Sequence, residues 1–476
     1  MPSIRLCETR FHRLDMHTRF PFRYGIASMT EVPHIFVVAT VEIDGRSSVG
    51  MSADGLPPKW FTKNPDTTFD QDDLPMMLAV IKQAASLGLE IGSQNNFFQW
   101  WYQLYERQQA WARRHEIAPL LAGLGVSLME RAVLDATLRN IRVPLAKAIR
   151  NDLLGIQLSA LRPELGQAKL RDLLPESPSP RVYLRHTVGL GDPLADADAI
   201  DAPQDGLPFT LEQNIQAYGL RYFKIKLSGN MVSDYERLQR IATIVARTVG
   251  ADARFTLDGN ENYKNIEQFQ QAWHRFQECA VLREFFQKSL MFVEQPIHRD
   301  QALDHSVGEQ LSCWRGAPAI IIDESDAELG SLPQALQLGY RGTSHKNCKG
   351  IIKGCLAAAT IARESLQRNQ QLILSAEDLG NVPPIALLQD LAAVACLGIP
   401  HVERNGHHYF AGLSMFPQSI QQQLVECHGD LFQWDGLSHF AKLAPRAGTL
   451  SLETVNQADF GLVPLIDLAD FRNWEF

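Results

Sequence analysis

Residues 222–227 read YFKIKL, two lysines one residue apart among apolar and aromatic neighbours. On a strand, positions i and i+2 share a face, so Lys224 and Lys226 project side by side. Two ammonium groups that close repel, and burial strips their hydration, so something anionic must stand opposite. Three later runs supply it. FTLDGN carries Asp258, MFVEQP carries Glu294, and IIIDES carries Asp323 and Glu324. Each is an apolar strand, then an acid, then turn residues. A single acid in that place can simply cap the following helix. Three in succession, facing a lysine pair, point to a shared site. Their repulsion needs a cation, and a small all-oxygen set suits Mg²⁺, with Mn²⁺ as a substitute. Asp323 and Glu324 are adjacent and point to opposite sides of their strand, so only one is expected as a ligand. A lysine with cationic neighbours is expected to have a lowered pKa and to act as a base near neutral pH. Lys346 and Lys349, in YRGTSHKNCKGIIKG, offer a further lysine from across the same mouth. Bases on opposite faces of a carbanion centre are what racemisation needs.

Such a constellation requires a frame that brings distant strand ends together. From about residue 182, short apolar runs alternate with amphipathic stretches. The runs are VYLRHTV, YFKIKL, RFTLDGN, LMFVEQP, AIIIDES, GTSHKN, LILSAEDL and HVERNG. Alternating strands and helices imply a parallel sheet, and eight units predict an α/β fold with a closed (β/α)₈ TIM-type barrel. An open doubly wound sheet is the alternative, but no Gly-x-Gly-x-x-Gly opens a helix. Upstream, HIFVVATVEIDGRSSVG reads as a hairpin turning at DG. Residues 75–155 read as helical. The expected division is an N-terminal α+β capping domain over 1–181, a catalytic barrel over 182–415, and a C-terminal segment over 416–476 packing back on the cap.

Composition narrows the classes. The chain has 476 residues, 45% of them hydrophobic and 21% charged, with a formal net charge of -9. That balance suits a globular protein and not a polyanion binder, so no nucleic-acid partner is expected. No run of about 18 apolar residues occurs, and the charged N-terminus lacks a secretory apolar stretch, so neither a membrane span nor export is expected. Seven cysteines without a Cys-x-x-Cys pair read as reduced thiols, which places the protein in the cytoplasm.

The ordered set KIK, LDGN, VEQP, DES and a lysine on the sixth strand resembles the enolase superfamily. Within it the chain is most similar to the muconate-lactonizing-enzyme subgroup of the mandelate racemase/muconate lactonizing enzyme family. GVSLMERAVLDATLRN resembles that family's helix leading into the barrel, and PFRYG its capping domain. The resemblance implies Asp258, Glu294 and Asp323 as metal ligands, Lys226 and Lys346 as opposing acid/base groups, and Lys224 either at the substrate carboxylate or supporting Lys226. It implies abstraction of the proton alpha to a carboxylate, with the enediolate held by Mg²⁺. An isomerase outcome is expected, with a lyase on the same residues as runner-up. A Schiff-base lysine aldolase and a non-catalytic binding barrel are the other classes. The single Gly350, where the family often has Gly-Gly, is a departure. So is the seventh run, which offers Glu377 and Asp378 but no histidine. In HVERNGHHYF, Glu403 is expected to bind substrate, and His407 and His408 either to join it or to sit in an exposed turn. The expected partners are a small-molecule carboxylate and further copies of the same chain.

Overall fold

The computed structural model describes residues 1–434 and 439–476. The chain opens with three antiparallel strands, β1 (Ile4–Tyr24), β2 (Ala27–Ile43) and β3 (Arg46–Gly55). Asp44 and Gly45 join β2 to β3, with φ of 47° and 76°. A two-residue turn of this hand needs both positions left-handed, which is why the sequence there is DG. Three helices follow: α1 (Leu74–Glu90), α2 (Phe97–Arg114) and α3 (Pro119–Ile141). Residues 120–122 and 124–138 of α3 are all buried, so it packs on every side.

Eight parallel strands come next: β4 (Arg181–Val188), β5 (Tyr222–Lys226), β6 (Arg254–Asp258), β7 (Leu290–Glu294), β8 (Ile320–Ile321), β9 (Gly342–His345), β10 (Ile373–Ala376) and β11 (His401–Arg404). They coincide with the eight apolar runs of the sequence. One ladder runs β11-β4-β5-β6-β7-β8, and β9 pairs with β10. A parallel bridge from Ile322 to Thr343 links the two ladders. Helices separate successive strands, so the protein is α/β.

The C-terminal residues add β12 (Phe432–Trp434), β13 (Ala441–Leu443), β14 (Thr449–Ser451) and β15 (Arg472–Asn473). β14 runs antiparallel to β4, and β15 returns to pair with β1. Among the described residues, no helix is long and apolar enough to cross a membrane.

Candidate active site

Register sets the site. Lys226 lies opposite Asp258, and Asp258 opposite Glu294, so β5, β6 and β7 present these three side chains in a row. Asp323 follows β8, two residues past Ile321, which is the register partner of Glu294. Lys346 and Glu377 each follow a residue of the His345–Ala376 pair that ends β9 and β10. All of these are carboxyl ends of parallel strands, where α/β proteins place their ligands. The acids do not serve as helix caps. Asn230 and Asn265 cap the helices after β5 and β6, and Asp258 Oδ1 accepts the Asn260 amide at 2.8 Å instead.

The groups interlock. Lys226 Nζ donates to Asp258 Oδ2 at 2.6 Å. Lys224 Nζ meets Asp258 at 3.0 Å, Glu294 at 2.9 Å, Glu377 at 2.7 Å and Glu403 at 2.9 Å. Across the mouth, Asp323 holds Lys346 at 3.1 Å and Lys349 at 2.9 Å. Arg185 closes the network below, donating to Glu377 at 2.5 Å and Thr256 at 2.8 Å.

Burial decides the protonation states. It opposes the charge on Lys224, but the surrounding carboxylates, Asp258 foremost, outweigh it and hold the pKa well above the usual lysine value. Lys346 is likewise raised: burial lowers it, and Asp323 more than compensates. The sequence predicts a lowered lysine pKa here. For the KIK pair the structure reverses this at Lys224, because four carboxylates surround its ammonium. Burial, then Glu377, push Glu294 well above the carboxylate range. Burial and Asp323 push Glu324 up to about 8.

The donor chemistry fits a hard divalent cation in one respect and departs in another. Glu294 Oε2 and Glu324 Oε2 are buried oxygens without a hydrogen-bond partner. An orphaned buried carboxylate oxygen is costly unless a cation or donor meets it. Yet among the described residues no group of three or more His, Cys, Asp or Glu has the arrangement of a metal site. The carboxylates of Asp258 and Asp323 are instead taken up by lysine ammonium groups. Asp258, Glu294 and Asp323 therefore supply the right oxygens at one mouth, in an arrangement closed by Lys224, Lys226, Lys346 and Lys349.

The structure brings most of the predicted residues to one pocket. Lys224, Lys226, Asp323, Lys346 and Glu403 line it. Lys349 lies outside the lining, donating to Asp323 O at 2.8 Å and Ser344 O at 3.1 Å as well as to the Asp323 carboxylate. Glu403 accepts from Thr187 at 2.8 Å through Oε1 and from Lys224 at 2.9 Å through Oε2, so both oxygens are engaged. His407 and His408 are buried, which corrects the exposed turn. His407 lies 3.0 Å from His186, and His408 lies 3.5 Å from Asp192, away from the lysines.

Sequence reasoning gave no role to Gln295, Glu377 or Arg185. Gln295 Oε1 accepts the Asp323 amide at 2.8 Å and its Nε2 donates to Ser325 at 2.7 Å, so it fixes the turn that carries Asp323. Its position directly after Glu294 in VEQP was the available signal. Backbone strain gathers nearby: Asn260, Glu261 and Gln295 have φ of 41°, 61° and 35°. Each such residue costs on the order of 1–3 kcal/mol, and such strain concentrates at functional sites.

No protein-family model matches the chain, and neither does any curated protein sequence. Solved structures do match. A mandelate racemase/muconate lactonizing protein from Herpetosiphon aurantiacus aligns with TM-score 0.59 at 16% identity, over 96% of this chain and 97% of that one. An enolase from Bradyrhizobium, complexed with magnesium and mandelic acid, aligns with TM-score 0.56 at 12% identity, over the whole of both chains (100% each). The chain has the mandelate racemase/muconate lactonizing enzyme fold. The N-succinyl Arg/Lys racemase from Bacillus cereus shares that fold, with TM-score 0.57 at 15% identity, over 95% of this chain and 97% of that one. The resemblance read from the short motifs thus holds for the fold over nearly the whole length.

Proposed function

We propose that this protein is an enolase-superfamily isomerase that takes the proton alpha to a carboxylate and returns it from the opposite face. In this reading the eight parallel strands close into a (β/α)₈ barrel, residues 1–181 form the cap and 416–476 pack back on it. The second and sixth strands then face each other across the mouth. The observation that carries the reading is that Lys226 from β5 and Lys346 from β9 line one pocket together with Asp323.

Lys226 stands as the base on one face. Its Nζ takes the α-proton while Asp258 holds it in place at 2.6 Å. Lys346, kept protonated by Asp323, stands as the acid and delivers a proton to the other face. Lys224 stays charged and holds Glu294, Glu377 and Glu403 in position. Asp258, Glu294 and Asp323 are the residues that would hold Mg²⁺, or Mn²⁺, which would supply Lewis-acid stabilisation of the substrate carboxylate.

The test is deuterium exchange in D₂O, followed by NMR on both enantiomers of a series of carboxylates with Mg²⁺ present. Wild type is expected to exchange both. Lys226→Ala is expected to lose exchange from one enantiomer and Lys346→Ala from the other, by about 10²–10⁴-fold. Loss from both enantiomers in each variant would replace the two-base isomerase by a lyase using one lysine. No exchange with any acid would overturn the proton-transfer reading.

A further inference from the structure

Asp323 is held by more than Gln295. From beyond β9, Lys349 donates to Asp323 O at 2.8 Å and to Oδ1 at 2.9 Å. Ser344 also donates to Oδ1, at 2.5 Å, which leaves Oδ2 to Lys346 at 3.1 Å. The turn then closes on Asp326, whose amide donates to Asp323 O at 3.0 Å. Asp326 Oδ2 accepts from Thr343 at 2.8 Å, and Oδ1 pairs with Lys353 at 3.1 Å. Lys353 also donates to Asp326 O. Thr343 and Lys353 lie on either side of Lys346, in β9 and in the helix Ile351–Arg368. Asp326 thus staples the turn that carries Asp323 to the elements that carry Lys346.

The far end of the same turn is gripped by the segment between α3 and β4. There Arg162, only 6% exposed, donates through Nη2 to Leu329 O, six residues past Asp323. The Leu329 amide donates to the Tyr105 hydroxyl of α2 at 3.3 Å. Arg162 Nη1 has no hydrogen-bond partner. Among the described residues Arg162 forms no ion pair; Glu164, Asp326 and Glu364 act on it from further off. A guanidinium buried without a paired acid is costly. The fold keeps one where it fixes the end of the Asp323 turn.

We propose that Arg162 and Lys353 are positioning residues, which act through Leu329 and Asp326 to hold the turn so that Asp323 keeps Lys346 aimed at the substrate. Neither lines the pocket. The role rests on the proton-transfer reading, in which Lys346 works one face and Lys226 the other. Lys226 is held by Asp258 at 2.6 Å, outside this staple. Loosening the turn therefore weakens one face alone, whereas a general loss of stability weakens both.

The test reads α-proton exchange in D₂O by NMR, with Mg²⁺ present, on both enantiomers of mandelate, 2-phenylpropionate and N-succinyl-lysine. The variants are Arg162→Met, Lys353→Met and Tyr105→Phe. The last removes only the hydroxyl that accepts the Leu329 amide, and keeps the test readable should a methionine variant not fold. Exchange from the enantiomer assigned to Lys346 is expected to fall about tenfold to a hundredfold in the methionine variants, since a misplacement of about 1 Å costs on the order of 10²-fold. A smaller fall is expected in Tyr105→Phe. Exchange from the other enantiomer is expected to stay unchanged. Arg162→Lys, which can still donate to Leu329 O, is expected to restore most of the loss. Mass-spectrometric hydrogen exchange on the same proteins reads the turn directly and needs no substrate. Residues 323–330 are expected to exchange at least about tenfold faster in Arg162→Met, the loss of one hydrogen bond to a charged group. An equal fall from both enantiomers, or no fall from either, would overturn the positioning role. So would unchanged protection of residues 323–330. If wild type exchanges none of the acids while that turn loosens as expected, the hold on Asp323 stands and the proton-transfer reading alone falls.

Discussion

Lys224 shows how one residue can change its meaning between sequence and structure. The alternation of YFKIKL made both lysines legible as inward-facing neighbours, because a strand leaves no other arrangement. The partners of Lys224 were not legible. Glu377 and Glu403 lie 153 and 179 residues away, and nothing local ties them to β5. The sequence reading gave Lys224 and Glu403 to the substrate; the structure gives them to each other. An ammonium has three donors, and Lys224 has four carboxylates within 3.0 Å. It has none to spare for a ligand. Lys224→Met therefore leaves buried carboxylates facing one another, which is expected to cost about 3–5 kcal/mol of stability. Urea denaturation reads this. A residue whose work was only to hold substrate would raise KM and leave the unfolding midpoint where it was.

At the scale of elements, the strands that carry chemistry were legible because each is a short apolar run stopped by an acid and a turn. β1 was not. Its 21 residues carry charges every few positions, and register shifts between Leu6 and Glu8 and between His17 and Phe22 break the alternation. Phe22 and Tyr24, which line the pocket, end that strand, so they were legible only through the likeness of PFRYG to a capping domain. The loop after β3 was legible as a loop from its Gly, Pro and Asp content, but not as a fixed one. Its anchor, Arg299, is some 240 residues downstream (238 from Phe61 and 239 from Trp60). A hydrogen bond to a charged group is worth about 1.5–3 kcal/mol, and Arg299 makes two to this loop. Arg299→Gln is expected to speed amide exchange over residues 57–63 by about tenfold or more, with the rest of the protein unchanged. Mass-spectrometric hydrogen exchange measures it. Unaltered protection of that loop would mean that packing of Trp60 and Phe61 holds it, and that the arginine is incidental.

The whole molecule is tied together across the boundary drawn between cap and barrel. Glu130 of α3 accepts the Ile352 amide at 2.7 Å, capping the helix Ile351–Arg368 that starts just after Lys346 and Lys349. Burial pushes Glu130 up to about 7, against the pull of that amide and of Arg131. Gly350 makes the approach possible: its φ is 97°, and a Cβ there would collide with Glu130 Oε2. The departure from the family's Gly-Gly pair thus keeps the one glycine that the contact with α3 requires. Further along, Gln389 donates to Met51 O at 2.7 Å, and β14 and β15 fasten the C-terminal residues to β4 and β1. The sequence reading expects residues 416–476 to pack back on the N-terminal part, but strands of two or three residues leave no periodic trace, so the pairing partners themselves were not legible. The consequence is sharp for residues 182–415 expressed alone. That fragment lacks the pocket-lining Phe22, Tyr24 and Trp60, the acid that caps the helix after Lys346, and the strand that covers β4. Its Arg404–Asp390 pair and its lysine–carboxylate network remain, but the face once covered by α3 meets water. We expect it to melt at lower temperature than the full chain, without a single sharp transition, and to show no α-proton exchange above background. Calorimetry and NMR in D₂O read the two halves of that expectation separately. A fragment that melts cooperatively and exchanges at the full-length rate would show that the residues outside 182–415 neither stabilise the strands nor shape the site.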